Sequence, residues 1–323
     1  MTGLPPGFTS SGSVPLDRRY RWAAASLEAG DAGGARDILE QTVAEAPRWA
    51  AAWKLLGDAR LACADRKGAR DAYEESARLD PQGTLGARLE LARLGIVSPG
   101  DAMQPGYIAA LFDDYADRFD DHLLGALSYR GPQVILGALR QLCGDKGRPV
   151  HFDTVLDLGC GTGLMGEAIR PYGGRLVGVD LSARMIAKAR AKLVYDRLVI
   201  GELISFLVTE AERSAALILA ADVLVYMGDL APILGEVGRV LADQGLFAFT
   251  CQSAGEIGME AGYDLGADRR YLHSPEHIRA VARDAELDVL RLAPAVTRRE
   301  AGVDVPGLIV VLERPASPKA DRA

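Results

Sequence analysis

The sequence predicts an α/β fold: a mostly parallel sheet with helices on both faces, preceded by a small all-helical repeat domain. Three observations carry this expectation. From residue 153 onward, apolar runs of strand length alternate with segments of helical periodicity, the pattern of a parallel sheet covered on both sides. The first such run, Val155-Leu156-Asp157-Leu158, enters a turn containing Gly159, Gly161 and Gly163. Before it lies a segment that repeats with a period of 34 residues, a period that marks helical arrays.

The elements follow in order. Residues 1–15 are rich in Gly, Pro and Ser and are expected to be disordered. In residues 16–95, Asp31 and Asp65, Ala35 and Ala69, and Pro47 and Pro81 recur at the repeat spacing. The alanines allow close packing of paired helices, and the prolines end the second helix of each pair. Thr84 to Leu94 reads as a closing helix. Residues 96–106, with Pro99, Gly100, Pro105 and Gly106, read as a linker, and 107–314 as the second domain, leaving 315–323 as a flexible tail. Within the second domain helices are expected at 107–116, 131–143, 164–170, 183–193, 229–241 and 275–285. Strands are expected at 153–158, 175–179, 197–201, 215–220 and 244–250, with a closing hairpin of 287–293 and 307–313. Residues 252–273 show no periodicity and read as a long lid or substrate loop.

Composition narrows the function. A net charge of −7 and pI near 5.3 argue against an extended basic face, so no nucleic-acid partner is expected. No apolar run reaches the length of a membrane span, and the first residues show no secretory pattern. Cys63, Cys143, Cys160 and Cys251 are widely spaced and read as reduced thiols of a cytoplasmic protein, without metal-ligand spacing.

The glycine turn points to a ligand. Glycines allow close backbone approach, and Asp180, at the end of Val177-Gly178-Val179, follows Gly159 by 21 residues. A carboxylate there can accept both hydroxyls of a ribose. Gly161 to Gly166 also satisfies G-x-G-x-x-G, so NAD or FAD remains an alternative, as does a plain tight turn. Two details favour S-adenosylmethionine. The glycines begin at Gly159, and Asp157 just before them suits a cationic amine better than a pyrophosphate.

Leu156 to Gly163 resembles motif I of class I S-adenosylmethionine-dependent methyltransferases, and Asp180 resembles their ribose-binding acid. The 34-residue repeat, with Trp53, Leu56-Gly57, Leu61, Ala69, Tyr73 and Pro81, resembles the tetratricopeptide (TPR) pattern. From about 16 to 313 the chain is similar to predicted class I methyltransferases with N-terminal TPR repeats. That resemblance implies a Rossmann-like, seven-stranded sheet. It implies that Gly159, Cys160, Gly161 and Gly163 surround the cofactor, that Asp157 reaches its amino group, and that Leu181 covers an adenine face. Glu202 is the candidate for the adenine amino group. Phe112 to Leu123 resembles a helix lying over the cofactor in small-molecule methyltransferases, with Tyr115 and Phe119 on one face. Arg130 is a candidate for the cofactor carboxylate. Asp222, Tyr226 and His273 are candidates for work on the acceptor, His273 as a base or as the flank of a helix cap. Arg269 and Arg270 suit a carboxylate substrate, whereas Arg298, Arg299 and Glu300 read as solvated charges.

The implied activity is methyl transfer to an oxygen or nitrogen of a small-molecule acceptor. The alternatives are a protein methyltransferase whose repeats recruit its substrate, and a non-enzymatic scaffold with a vestigial cofactor fold.

Overall fold

The computed structural model describes residues 10–253, 261–300 and 302–317. Contacts divide the chain into two compact units, Met1–Asp114 and Tyr115–Ala323.

The first unit is helical. Its main helices are α1 (Val14–Glu28), α2 (Ala32–Glu45), α3 (Ala50–Ala62), α4 (Arg66–Leu79) and α5 (Ala87–Arg93), each packed on the next. The repeat is visible atom by atom. Asp31 and Asp65 cap α2 and α4, accepting from Gly34 N at 2.9 Å and Gly68 N at 2.8 Å, each cap contributing about 1 kcal/mol. Ala35 and Ala69 are fully buried. At Gly57 an added Cβ would lie 2.3 Å from the Tyr73 ring, so glycine lets α3 and α4 close on each other while the Tyr73 hydroxyl donates to Asp58 at 2.9 Å. The expected disorder fails at its inner end: Ser10 and Ser11 hydroxyls donate to the Asp17 carboxylate at 2.6 and 2.7 Å, and α1 starts at Val14. The expected linker 96–106 lies inside this unit, with Tyr107 against Gly86 and Gln104 against Gly83. A helix α6 (Pro105–Tyr115) runs across the division between the units.

The second unit is a doubly covered sheet. After a single turn α7 (Phe119–Asp121) come α8 (Gly131–Asp145), β1 (Phe152–Leu158), α9 (Leu164–Ile169), β2 (Gly173–Asp180), α10 (Ala183–Ala191) and β3 (Arg197–Ile200). Then follow α11 (Leu203–Thr209), β4 (Ala215–Ala220), α12 (Ala231–Val240), β5 (Leu241–Ser253), β6 (Tyr263–Leu265) and β7 (Tyr271–His273). The chain closes with α13 (Pro275–Asp284), β8 (Asp288–Glu300) and β9 (Val303–Glu313). Strands β3, β2, β1, β4 and β5 are parallel neighbours in that order. Strand β9 is antiparallel to β5 and pairs with β8.

Side chains alternate across the strands as their period of two requires. Leu156, Leu158, Ile218, Phe247 and Phe249 share a core with α11, α12 and α13. Val155, Leu217, Leu219, Leu246 and Ala248 share the opposite core with α8 and α9.

The sheet has nine strands among the described residues, which corrects the expected seven. The extra pair, β6 and β7, comes from the segment expected to be a structureless lid; residues 254–260 of that segment lie outside the described residues. Each strand is only three residues long, too short to show an alternating pattern. Their position is informative. Gln252 of β5 pairs with Gly307 on one edge and with Leu272 on the other. The latter edge is the one β4 occupies as far as Phe249. Strand β7 therefore continues the line of β4 beyond its carboxyl end. The pattern also missed α11, whose Leu203, Phe206 and Leu207 are buried.

Candidate functional site

The carboxyl ends of β1, β2, β4 and β5 converge on one edge, where open α/β sheets bind ligands. Between β1 and α9 the chain turns through Gly159, Gly161 and Gly163 at φ of 64°, 53° and 93°, a left-handed region that glycine enters without strain. At Gly159 an added Cβ would meet Val223 at 2.5 Å. Cys160 is buried with its thiol pushed well up, first by burial and then by Asp157 and Asp180, so it sits as a small neutral side chain.

Asp180, at the end of β2, is tied into this turn. Gly161 N donates to one carboxylate oxygen and Ser182 N to the other, both at 2.9 Å. A carboxylate can accept more than these two bonds, so its place beside the bare Gly161 backbone fits a vicinal diol as well. Ser182 also caps α10, accepting from Met185 N at 3.0 Å. Leu181 is half-buried beside it.

Asp157 is only 1% exposed and accepts the Tyr195 hydroxyl at 2.6 Å. Burial lifts its carboxyl to about 7; Tyr195 opposes that shift and Asp180 adds to it. Sequence patterning did not single out Tyr195, because its link to Asp157 is a tertiary contact.

The expected cover segment lies over the turn. The Phe119 ring is within 3.8 Å of the position of a Gly161 Cβ. Tyr115 meets it edge to face at 5.3 Å between centroids, and its hydroxyl bonds His122 Nδ1. Thr162 donates to Asp120. Lys192 bridges Asp120 and Glu167 at 3.2 and 2.7 Å, and Lys188 and Arg184 hold Asp117. These contacts pin the segment to α10 and the glycine turn.

Arg130 is exposed at the start of α8, and its backbone N–H donates to Thr297 O at 2.7 Å. Beside it, Tyr129, Pro132, Gln133, Leu164, Glu167 and Ala168 line a cleft between the starts of α8 and α9. Glu202 caps α11, accepting from Ile204 N at 3.0 Å and Ser205 N at 2.7 Å. Both oxygens thus serve the helix that the pattern missed.

Asp222, after β4, has a left-handed backbone at φ 57°. Its oxygens accept the Thr250 hydroxyl at 2.7 Å and the Thr297 hydroxyl at 3.0 Å. Arg298 approaches it at 3.8 Å and bonds Glu300 and Gln252 at 3.0 Å each. Arg298 is 4% exposed, which corrects its reading as a solvated charge: β8 runs on to Glu300 and carries it inward. Arg270 joins Glu300 at 2.9 Å and is hydrogen-bonded to Tyr226. Arg270 is therefore committed within the protein. Arg269, beside it, has φ 61°.

His273, on β7, is fully buried. Its Nε2 faces Leu224 O at 3.3 Å, and its Nδ1 has no hydrogen-bond partner among the described residues. Burial depresses its pKa to about 4, so the ring is neutral. It stacks on His277 with centroids 6.2 Å apart. The geometry joins His273 to the wall that supports Leu224–Tyr226, while Asp222 and Tyr226 are partly exposed. Among the described residues no cluster of His, Cys, Asp or Glu has metal-binding form.

Residues 156–247 match the family model described as a methyltransferase domain. Over this segment, which lies within the α/β sheet described above, the chain is similar to methyltransferase domains. It is 29% identical over 150 residues to malonyl-[acyl-carrier protein] O-methyltransferase of Salmonella typhimurium, covering 46% of this chain and 55% of that protein. It is 49% identical over 49 residues to a TPR repeat-containing protein of Pseudomonas aeruginosa, covering 15% of this chain and 47% of that one. The chain thus spans about half the length of these curated relatives. Among solved structures it resembles 1,6-didemethyltoxoflavin-N1-methyltransferase of Burkholderia thailandensis at 16% identity and TM-score 0.49, covering 68% of this chain and 91% of that one.

Proposed function

We propose that this chain is an S-adenosylmethionine-dependent methyltransferase acting on an oxygen or nitrogen of a small-molecule acceptor, with a TPR-type helical unit before its catalytic domain. The observation that carries the reading is the turn of three left-handed glycines tied by its own backbone to Asp180. At Gly161 no side chain blocks a ligand's approach to the backbone beside Asp180, and the acid supplies acceptors for a ribose. The methyltransferase-domain match over the same residues supports it. The relative named malonyl-[acyl-carrier protein] O-methyltransferase supports an oxygen as the acceptor atom. The paired caps at Asp31 and Asp65, and the match to a TPR repeat-containing protein, support the helical assignment.

Bound there, the cofactor supplies an electrophilic methyl group on a sulfonium that departs as a neutral thioether. What the protein must add is alignment, exclusion of water and, for an acceptor that loses a proton, a base. Gly159, Gly161, Gly163 and Asp180 orient the cofactor; Asp157 holds its ammonium and Arg130 its carboxylate. Tyr115 and Phe119 exclude water. Asp222 and Tyr226 face the acceptor. His273, neutral and buried, shapes the wall behind them.

Calorimetric titration with S-adenosylmethionine, alongside Asp180→Ala and a parallel titration with NAD, tests the cofactor. Saturable binding that weakens at least about 100-fold in Asp180→Ala is expected from the loss of charge-assisted hydrogen bonds. Preference for NAD, or no binding by folded protein, overturns the reading.

A further inference from the structure

Three glycines in three different elements make room for a single ring. An added Cβ at Gly163 in the turn would lie 3.2 Å from Tyr195, at Gly166 in α9 2.2 Å from its hydroxyl, and at Gly178 in β2 2.9 Å from its ring. Gly178 is also the register partner of Asp157, so its missing side chain opens the path from Tyr195 to that carboxylate. The glycine at 166, which makes the sequence resemble G-x-G-x-x-G, therefore serves a tyrosine rather than a pyrophosphate.

The loop that carries Tyr195 is fixed on both sides. Arg170 donates to Val194 O at 3.2 Å and to Asp196 at 2.9 Å. Asp196 in turn accepts Leu176 N at 2.6 Å. The ring is held before any ligand arrives, and its hydroxyl has one acid to serve.

We infer that Tyr195 is a positioning residue for the cofactor: its hydroxyl favours the ionised form of the buried Asp157 carboxylate and aims it at the cofactor's ammonium. This rests on the cofactor reading above. Among the described residues Tyr195 is the hydrogen-bond partner of Asp157. The other titratable groups around that acid are Asp180, Cys160 and Tyr129. None of them supplies a positive charge, so the tyrosine hydroxyl and the arriving ammonium are what favour the carboxylate.

The test is the pH dependence of S-adenosylmethionine affinity, measured by calorimetry on the full chain. Affinity should fall on the acid side as Asp157 takes up a proton, with its knee near the value of about 7 set by burial. It should fall on the alkaline side as the ligand's own amino group loses its proton, near a pH of about 8. In Tyr195→Phe the ring still fills the space between the glycines, so the fold is retained. The acid-side knee should rise by about one pH unit and affinity at pH 7 should drop about 5-fold, with the alkaline side unmoved. In Asp157→Asn the acid-side knee should vanish. A knee unmoved in Tyr195→Phe, with normal binding by the native chain, overturns the positioning role alone. No binding by the folded native chain overturns the cofactor reading as well.

Discussion

Replacing Arg298 with methionine would keep the bulk of the side chain and remove its charge. In the native protein the guanidinium is 4% exposed and bonds Glu300 and Gln252, with Asp222 and Asp268 each at 3.8 Å. Without it, the carboxylates of Asp222, Asp268 and Glu300 face one another in a partly buried cluster. Breaking a buried ion pair on one side costs about 3–5 kcal/mol. Asp268 and Glu300 keep side-chain exposures of 29% and 44%, and Arg270 remains beside both, so a loss of about 2–4 kcal/mol is expected. For a unit of this size that lowers the melting temperature by about 5–15 °C. The probe can be chosen from the sequence: Trp22, Trp49 and Trp53 all lie in the first unit, so tryptophan fluorescence follows that unit while circular dichroism follows both. Arg298→Met should lower the dichroism transition that tryptophan does not report. Glu300 adds a second signature. Burial alone would raise its pKa, but Arg298 and Arg270 outweigh burial and hold it below the usual value. Its stabilising contribution is present above the unfolded pKa and lost as pH falls through the folded one. The variant should therefore lose less stability on acidification than the native chain. A destabilisation under about 1 kcal/mol, with an unchanged acid slope, would refute the view of Arg298 as the hub of this cluster.

Other perturbations separate packing from titration. Gly57→Ala gains helix propensity but drives a methyl group into the Tyr73 ring; overpacking of about 1–3 kcal/mol should win, lowering the midpoint read by tryptophan fluorescence. His273 and Asp157 should tilt stability against pH in opposite directions. His273 has a folded pKa of about 4, so the unfolded chain binds its proton first and stability is lost as pH falls from about 6.5 towards 4. Asp157, raised to about 7, binds its proton first in the folded chain, so stability is gained over the fall from about 7 to 4. Denaturation midpoints from pH 7.5 to 4.5 should show a shallower acid loss in His273→Gln and a steeper one in Asp157→Asn. Parallel profiles for the two variants would contradict both assignments.

The parts of this chain that were legible in the sequence are those whose cause is local. A run of strand residues entering Gly159, Gly161 and Gly163 is a backbone requirement, and a turn of that kind can be read without its surroundings. The same holds for the repeat, because Asp31 and Asp65 cap helices that start within three residues of them. The missed features depend on distant partners. Tyr195 stands in an unpatterned loop, and only the assembled sheet brings it to Asp157. Arg298 lies among Thr297, Arg299 and Glu300, a composition that suggests a solvated strand end, yet β8 extends far enough to bury it. Glu202 shows how an acid near a ligand edge can serve the backbone: α11 is a single apolar face of seven residues, too brief to display a period.

Strand β7 occupies the edge of β5 that β4 vacates. The end of the site proposed for the cofactor is built from β1, β2 and their turns, so its shape is held by a continuous parallel sheet. The far end is built by a hairpin that merely docks onto two residues of that sheet, Gln252 and Ser253. Such a joint is a natural seam for divergence. Lengthening or exchanging the β6–β7 hairpin would redraw the surface next to Asp222 and Tyr226 while leaving every strand that positions the glycine turn in register.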